Sequence, residues 1–207
     1  MESSGWTGGL YRICDWISKL AYVNLLWMFF TLVGLIIFGI APSTVALFTI
    51  IRKWIMGEHH IKIFSSFWEV YKREFKKANI LWSSLVVVLL FMYIDLVLIQ
   101  AMQGVLHYFF LTCFVIMSII LTIILLYIFP VYVHFEGSIL HYYKSSFLLG
   151  TSFPFRTFMM VLAVGTSIFI GLLFPGVAIL FFGSGIAFAL MYFSYSIFAK
   201  INPSVDI

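Results

Sequence analysis

Charge is scarce in this sequence. Lysine, arginine, aspartate and glutamate make up 10% of the 207 residues, while 63% are hydrophobic and 20% aromatic. An ordinary soluble domain carries roughly 25% charged residues. In water so much apolar surface would have nowhere to go, so lipid is the expected solvent. Cysteine is nearly absent too, with two in the chain. Cys14 precedes the first apolar run and Cys113 falls inside another, so they are expected at different depths as free thiols, which excludes a disulfide framework. The chain has no Walker A loop, no G-x-G-x-x-G and no G-x-S-x-G. Nucleotide binding and serine-nucleophile catalysis therefore have no support. The opening Met-Glu-Ser-Ser-Gly-Trp has no basic stretch, and no cleaved signal peptide is expected.

What is present is a charge asymmetry. Residues 39–82 hold Arg52, Lys53, Lys62, Lys72, Arg73, Lys76 and Lys77 against Glu58, Glu69 and Glu74, an excess of four that equals the formal net charge of the whole chain. Such a block decides which side of a membrane faces the cytoplasm. It needs no nucleic acid to explain it, because anionic headgroups serve as well.

Taken in order, residues 6–19 read as an interfacial helix, with Leu10, Ile13, Trp16 and Ile17 at helical spacing. The uncharged run from Leu20 to Ile51 is too long for one span of about 20 residues and short for two. Gly39 and Pro42 break it, which predicts a first span over 20–39 and a short helix over 43–56. If both flanking basic groups are cytoplasmic, the short helix returns the chain, and it must then be buried, tilted or partly re-entrant.

Residues 61–78 form the best amphipathic pattern. Phe64, Phe67, Trp68, Tyr71, Phe75 and Ala78 make one stripe, opposite a basic face of Lys72, Arg73, Lys76 and Lys77 suited to anionic lipid. Ser66 and Glu69 have capping-box spacing, and Glu69 and Arg73 stand i,i+4. Two apolar hairpins follow, with spans at 79–101 and 105–130, then 155–174 and 177–199, separated by a second amphipathic helix over 138–149. Neither hairpin turn carries lysine or arginine, as translocated turns should not. The expected fold is an all-α polytopic membrane bundle, one domain over 1–207, with both termini cytoplasmic. Asn24-Leu25-Leu26-Trp27 recurs as Asn79-Ile80-Leu81-Trp82, a faint trace of internal repetition.

Candidate polar sites are few. Asp95 is the lone acid deep in an apolar run, with Gln100, Gln103 and His107 within partial reach. A carboxylate there faces a bundle interior or a wet cavity, either as a helix-to-helix hydrogen bond or as a ligand or proton site. Asn24 and Thr31 share one face of the first span and fit interhelical bonding better than substrate contact. His59, His60, His134, Glu136 and His141 lack metal-ligand spacing, so no metal and no cofactor are expected.

The run Asn24-Leu25-Leu26-Trp27, then Gly39-Ile40-Ala41-Pro42-Ser43-Thr44, Ala46-Leu47-Phe48, Arg52-Lys53-Trp54 and Gly57-Glu58 resembles the YesL-like membrane family of Gram-positive bacteria. Phe67-Trp68, Phe75, Phe129-Pro130-Val131-Tyr132-Val133-His134 and Tyr143 continue the likeness over nearly the whole chain. That family has no known function and brings no catalytic residues. The resemblance implies a bacterial plasma-membrane protein, and its gene neighbourhoods imply an accessory role in carbohydrate uptake or utilisation. The expected function is non-enzymatic, an accessory or scaffold binding a transporter subunit or a second copy. The alternative is a small-solute or ion transporter or channel with its polar site around Asp95. An intramembrane enzyme ranks third, since no nucleophile and base pair up.

Overall fold

The computed structural model describes residues 6–201, with the side chains of 6–8 and 10 outside the description. Among the described residues seven helices follow one another: α1 (Trp6–Val33), α2 (Ile40–Ile55), α3 (Ile63–Ala101), α4 (Val105–His134), α5 (Ile139–Ser152), α6 (Pro154–Leu173) and α7 (Pro175–Ile201). No strand occurs among the described residues. All helices but α2 and α5 carry segments long and apolar enough to cross a membrane. The chain is an all-α polytopic membrane bundle.

Two expected boundaries vanish. The amphipathic segment 6–19 and the first span form one 28-residue helix, and 61–78 with 79–101 form one helix of 39 residues, about 58 Å long at 1.5 Å per residue. No glycine or proline stands at either junction. A change from amphipathic to apolar alters the solvent that suits a helix and leaves its hydrogen-bond ladder intact. Because α3 starts at Ile63, Ser66 sits inside the first turn, its N–H bonded to the Lys62 carbonyl at 2.9 Å. The capping-box reading of Ser66 is therefore corrected. Ser138 supplies a cap instead, its hydroxyl accepting from the His141 N–H at the start of α5.

The first span ends at Val33, earlier than expected, in a turn over 34–39. Leu35 and Ile36 both adopt left-handed backbone, φ 57° and 64°, which costs roughly 1–3 kcal/mol for each non-glycine residue. Close packing holds them there. A Cβ on Gly34 would collide with the Gly39 Cα, and one on Gly39 with the Thr31 carbonyl. The Ile36 N–H reaches the Thr31 carbonyl at 2.9 Å, tightening the exit from α1.

Helix α2 is the hub. Ten of its sixteen residues are buried, and it packs against α1, α3, α4 and α7. Among the buried large side chains, Leu47, Ile50, Ile51 and Trp54 come from α2, and Phe67, Leu81 and Leu85 from α3. Tyr127, Ile128, Tyr142, Met160 and Phe198 add walls from α4, α5, α6 and α7. The aromatic stripe of α3 is turned mostly inward: Phe67, Tyr71 and Ala78 are buried, while Phe64 and Trp68 stay exposed. Phe30 of α1 stacks on Phe67 and Trp68, at 5.2 and 5.4 Å between ring centroids. The expectation that this stripe lies on headgroups is corrected for its middle, which protein covers.

Away from this core the two long hairpins are bare. In residues 86–101 and 105–120 the sole buried residue is Ile99, and residues 161–183 have none. Hydrocarbon or another protein must cover them.

Candidate functional site

At the charged end of the bundle, α2, α3, α4 and α5 enclose a cleft of about 870 Å³. The local sequence explains its walls. The last turn of α2 presents Arg52 and Lys53, cations where a helix C-terminus favours them. Ser66, Val70, Arg73 and Lys77, spaced by four, three and four, line it with one face of α3. Tyr132 to Phe135 end α4, and Tyr142 enters from α5.

Arg52 is half-buried and fixed from two directions. Its Nε donates to His134 Nδ1 at 3.2 Å, and one terminal nitrogen donates to the Val133 carbonyl at 3.1 Å. Arginine can only donate, so His134 Nδ1 accepts and the ring proton resides on Nε2. The His134 ring lies on Phe198, centroids 4.4 Å apart. Arginine stays charged at any physiological pH.

Lys77 is the second fixed cation. Its Nζ donates to the Tyr142 hydroxyl at 2.7 Å and lies 5.4 and 5.1 Å from the ring centroids of Tyr132 and Tyr142. The Gly137 N–H also donates to the Tyr142 hydroxyl, at 3.2 Å. On the same wall the Tyr132 hydroxyl donates to Glu74 Oε2 at 2.8 Å, while Arg73 Nε binds Glu74 Oε1 at 3.0 Å. The i,i+4 pairing expected of Glu69 with Arg73 is thus replaced by Arg73 with its neighbour Glu74.

The basic face read from the sequence divides accordingly. Lys72, with its Nζ 4.8 Å from the Trp68 ring, and Lys76 are exposed, as is Arg73, whereas Lys77 turns into the cleft.

Asn24 and Thr31 do not share a site. The Asn24 amide clamps α1 to α7, donating to the Ile179 carbonyl at 2.8 Å and accepting from the Ser184 N–H at 2.9 Å. Gly183 permits the approach, since a Cβ there would stand 2.9 Å from Asn24 Oδ1 and 3.1 Å from the Trp27 ring. Thr31 bonds back to the Trp27 carbonyl at 2.7 Å, and Trp27 Nε1 reaches Thr44 Oγ1 of α2 at 3.1 Å. Asn79, in the repeated tetrad, likewise grips backbone, the Phe38 carbonyl at 3.0 Å.

Asp95 is exposed rather than set in the bundle interior, which corrects that expectation; it lies at the edge of a pocket of about 350 Å³ between α3 and α4, among Phe91, Met92, Cys113, Phe114 and Met117. Gln100, Gln103 and His107 lie outside that lining. The two glutamines are exposed, and His107 Nδ1 bonds the Ile99 carbonyl at 3.0 Å. Among the described residues Asp95 makes no hydrogen bond or ion pair. No group of three or more metal-ligating side chains occurs there either.

Residues 20–96 match the profile of a family described as a protein of unknown function, DUF624. The uncharacterized protein YteU of Bacillus subtilis (strain 168) is 37% identical over 204 residues, 98% of this chain and 90% of that protein. The chain belongs to the YesL-like DUF624 family. Two further relatives from the same organism, the uncharacterized proteins YesL and YesV, are 36% and 34% identical, each over 94% of this chain, with 91% and 93% of their own lengths covered. No solved structure matches. The YesL-like segment 20–96 contains α2 and nearly all of α3, so the family profile covers the hub and one wall of the cleft.

Sequence reasoning used Arg52, Lys53 and Lys77 for orientation and did not foresee that they meet Tyr132, His134 and Tyr142. The signal was the concentration of aromatic and histidine residues at the end of α4, next to a cationic block.

Proposed function

We propose that this protein is a non-enzymatic accessory or scaffold protein of the bacterial plasma membrane, working beside a transporter in carbohydrate uptake. One observation carries this reading: four polar contacts inside the bundle each join one helix to another. Asn24 ties α1 to α7, Trp27 ties α1 to α2, Ser84 ties α3 to Tyr143 of α5, and Tyr127 ties α4 to Thr157 of α6. Polar groups so engaged make a rigid frame. The bare outer hairpins then offer lipid-facing surface for a partner helix. The test is purification of the native protein in mild detergent. Recovery of a solute-transporter subunit in stoichiometric amount is expected, and a lone monomer from native membranes would count against the accessory role.

The second reading is a small-solute or ion transporter. The pocket at Asp95 favours it, because an unpartnered carboxylate at membrane depth is costly unless used.

Orientation follows from the positive charges. With both termini cytoplasmic and α2 counted as a sixth membrane helix, Arg12, Lys19, the 52–77 block, Lys144, Arg156 and Lys200 share one side. Residues 3 and 204 lie outside the described residues, yet they suit labelling. Ser3→Cys and Ser204→Cys are expected to resist a membrane-impermeant thiol reagent in intact cells. Labelling of one and protection of the other would leave five crossings, with α2 failing to cross.

A further inference from the structure

Among the described residues the ion pairs are Lys19 with Asp15 and Arg73 with Glu74. Arg52, Lys53 and Lys77, all partly buried on the wall of the α2–α5 cleft, therefore have no carboxylate within ion-pair distance. Burying a cation without an anion is unfavourable, and the structure retains three in one concavity.

The donors there outnumber the acceptors. Of the five N–H groups of Arg52, two are engaged. Lys77 uses one of three on Tyr142. The Tyr142 hydroxyl accepts from both Lys77 and Gly137, which leaves its own proton to donate. On the acid side, Glu74 is occupied by Tyr132 and Arg73. Glu69 and Glu136 also line the cleft, but both are exposed, where water and salt screen them. The sheltered part of the cleft is thus positive and rich in free donors.

We propose that this cleft is an anion site for a phosphate group, held by Arg52 and Lys77 with the Tyr142 hydroxyl, and with Lys53 adding charge. A guanidinium with free N–H groups in a fork matches phosphate oxygens, and a lysine ammonium adds a point charge. The phosphate comes either from a lipid headgroup or from a small phosphorylated solute, since the cleft lies beside the basic block where water, headgroups and bundle meet. The site stands independently of the accessory role.

The experiment uses the full chain in detergent and native mass spectrometry. The probes are dihexanoyl phosphatidylglycerol, its phosphate-free counterpart dihexanoylglycerol, and inorganic phosphate. Retention of one phosphatidylglycerol without phosphate assigns the lipid source, and retention of inorganic phosphate assigns a soluble one. Arg52→Gln and Lys77→Gln are each expected to weaken retention about tenfold, the loss of one charge-assisted bond. The exposed pair Lys72→Gln with Lys76→Gln is expected to leave it unchanged. Should the Arg52 and Lys77 variants fail to fold, Lys53→Gln decides, since its side chain holds no other residue in place. Weakened retention in Lys53→Gln supports the site, and unchanged retention overturns it. The proposal also falls if the wild-type chain retains neither phosphate-bearing probe, if dihexanoylglycerol is held as well as phosphatidylglycerol, or if Lys72 and Lys76 matter as much as Arg52.

Discussion

Trp54→Ala is expected to lower stability by about 3–5 kcal/mol, the range for emptying a buried aromatic site. The side chain is 1% exposed and meets the Trp16 ring edge-on, centroids 5.8 Å apart. It lies in the last turns of α2, where walls from several helices converge, so collapse into the cavity is restricted. Trp54→Phe separates volume from hydrogen bonding. The buried indole Nε1 has no hydrogen-bond partner in the structure, so phenylalanine removes an unsatisfied donor and keeps an aromatic face for Trp16. A clearly smaller loss than for alanine is expected. Unfolding in mixed micelles against the mole fraction of denaturing detergent measures both. Equal losses for Phe and Ala would mean that Nε1 is bonded and that the indole acts as a strut.

Asp95 carries the second large effect, and its sign is the informative part. Read as a helix-to-helix bond, Asp95→Leu should orphan a partner and destabilise the chain. The structure gives Asp95 no partner among the described residues, so Asp95→Leu is expected to stabilise the isolated chain. The gain should fall below the roughly 2.5–3.5 kcal/mol assigned to a charge at a helix centre. Six residues separate Asp95 from the end of α3, about 9 Å, and the carboxylate gains some hydration there. Asp95→Asn should lie between wild type and Leu in stability. Growth on carbohydrates as sole carbon source, the setting of the proposed role, then distinguishes the two functional readings. Loss of growth with Asn at unchanged abundance would favour a titrating transport site, and normal growth would favour the accessory protein. A destabilised Leu variant would instead reveal a bonding partner, such as a second copy.

The apolar runs were legible because composition alone sets the solvent, and charge alone sets the expected orientation. The partnership of faces was not. In α4 the lipid side and the protein side are equally apolar, so no periodicity distinguishes Leu126 or Ile128, which are buried, from Ile116 or Ile119, which are not. Continuity across Lys19–Leu20 and Ala78–Asn79 was hidden for a related reason: the pattern changes there while the backbone has no cause to break. The interhelical use of Asn24 was legible from its type and setting, but its target, the backbone at Ile179 and Ser184, lies over 150 residues away. The cleft was the hardest feature to foresee. Arg52, Lys77, His134 and Tyr142 each look ordinary in their own segments, and only the packing of four helices gives them a common wall.

The central position of α2 bears on how the chain is made. The helix has 16 residues, about 24 Å at 1.5 Å per residue, short of the roughly 30 Å of hydrocarbon that a lone span must cross. Three of the four helices that enclose it, α3, α4 and α7, are synthesised after it. During biosynthesis the most enclosed helix of the finished bundle is thus among the first to emerge, sheltered at first by α1 alone, and it stays open on one side until the last helix arrives. A ribosome that stops before Pro175 leaves α2 open along the side that α7 covers, so membrane proteases should treat C-terminally truncated chains as unfinished however many spans they have already inserted.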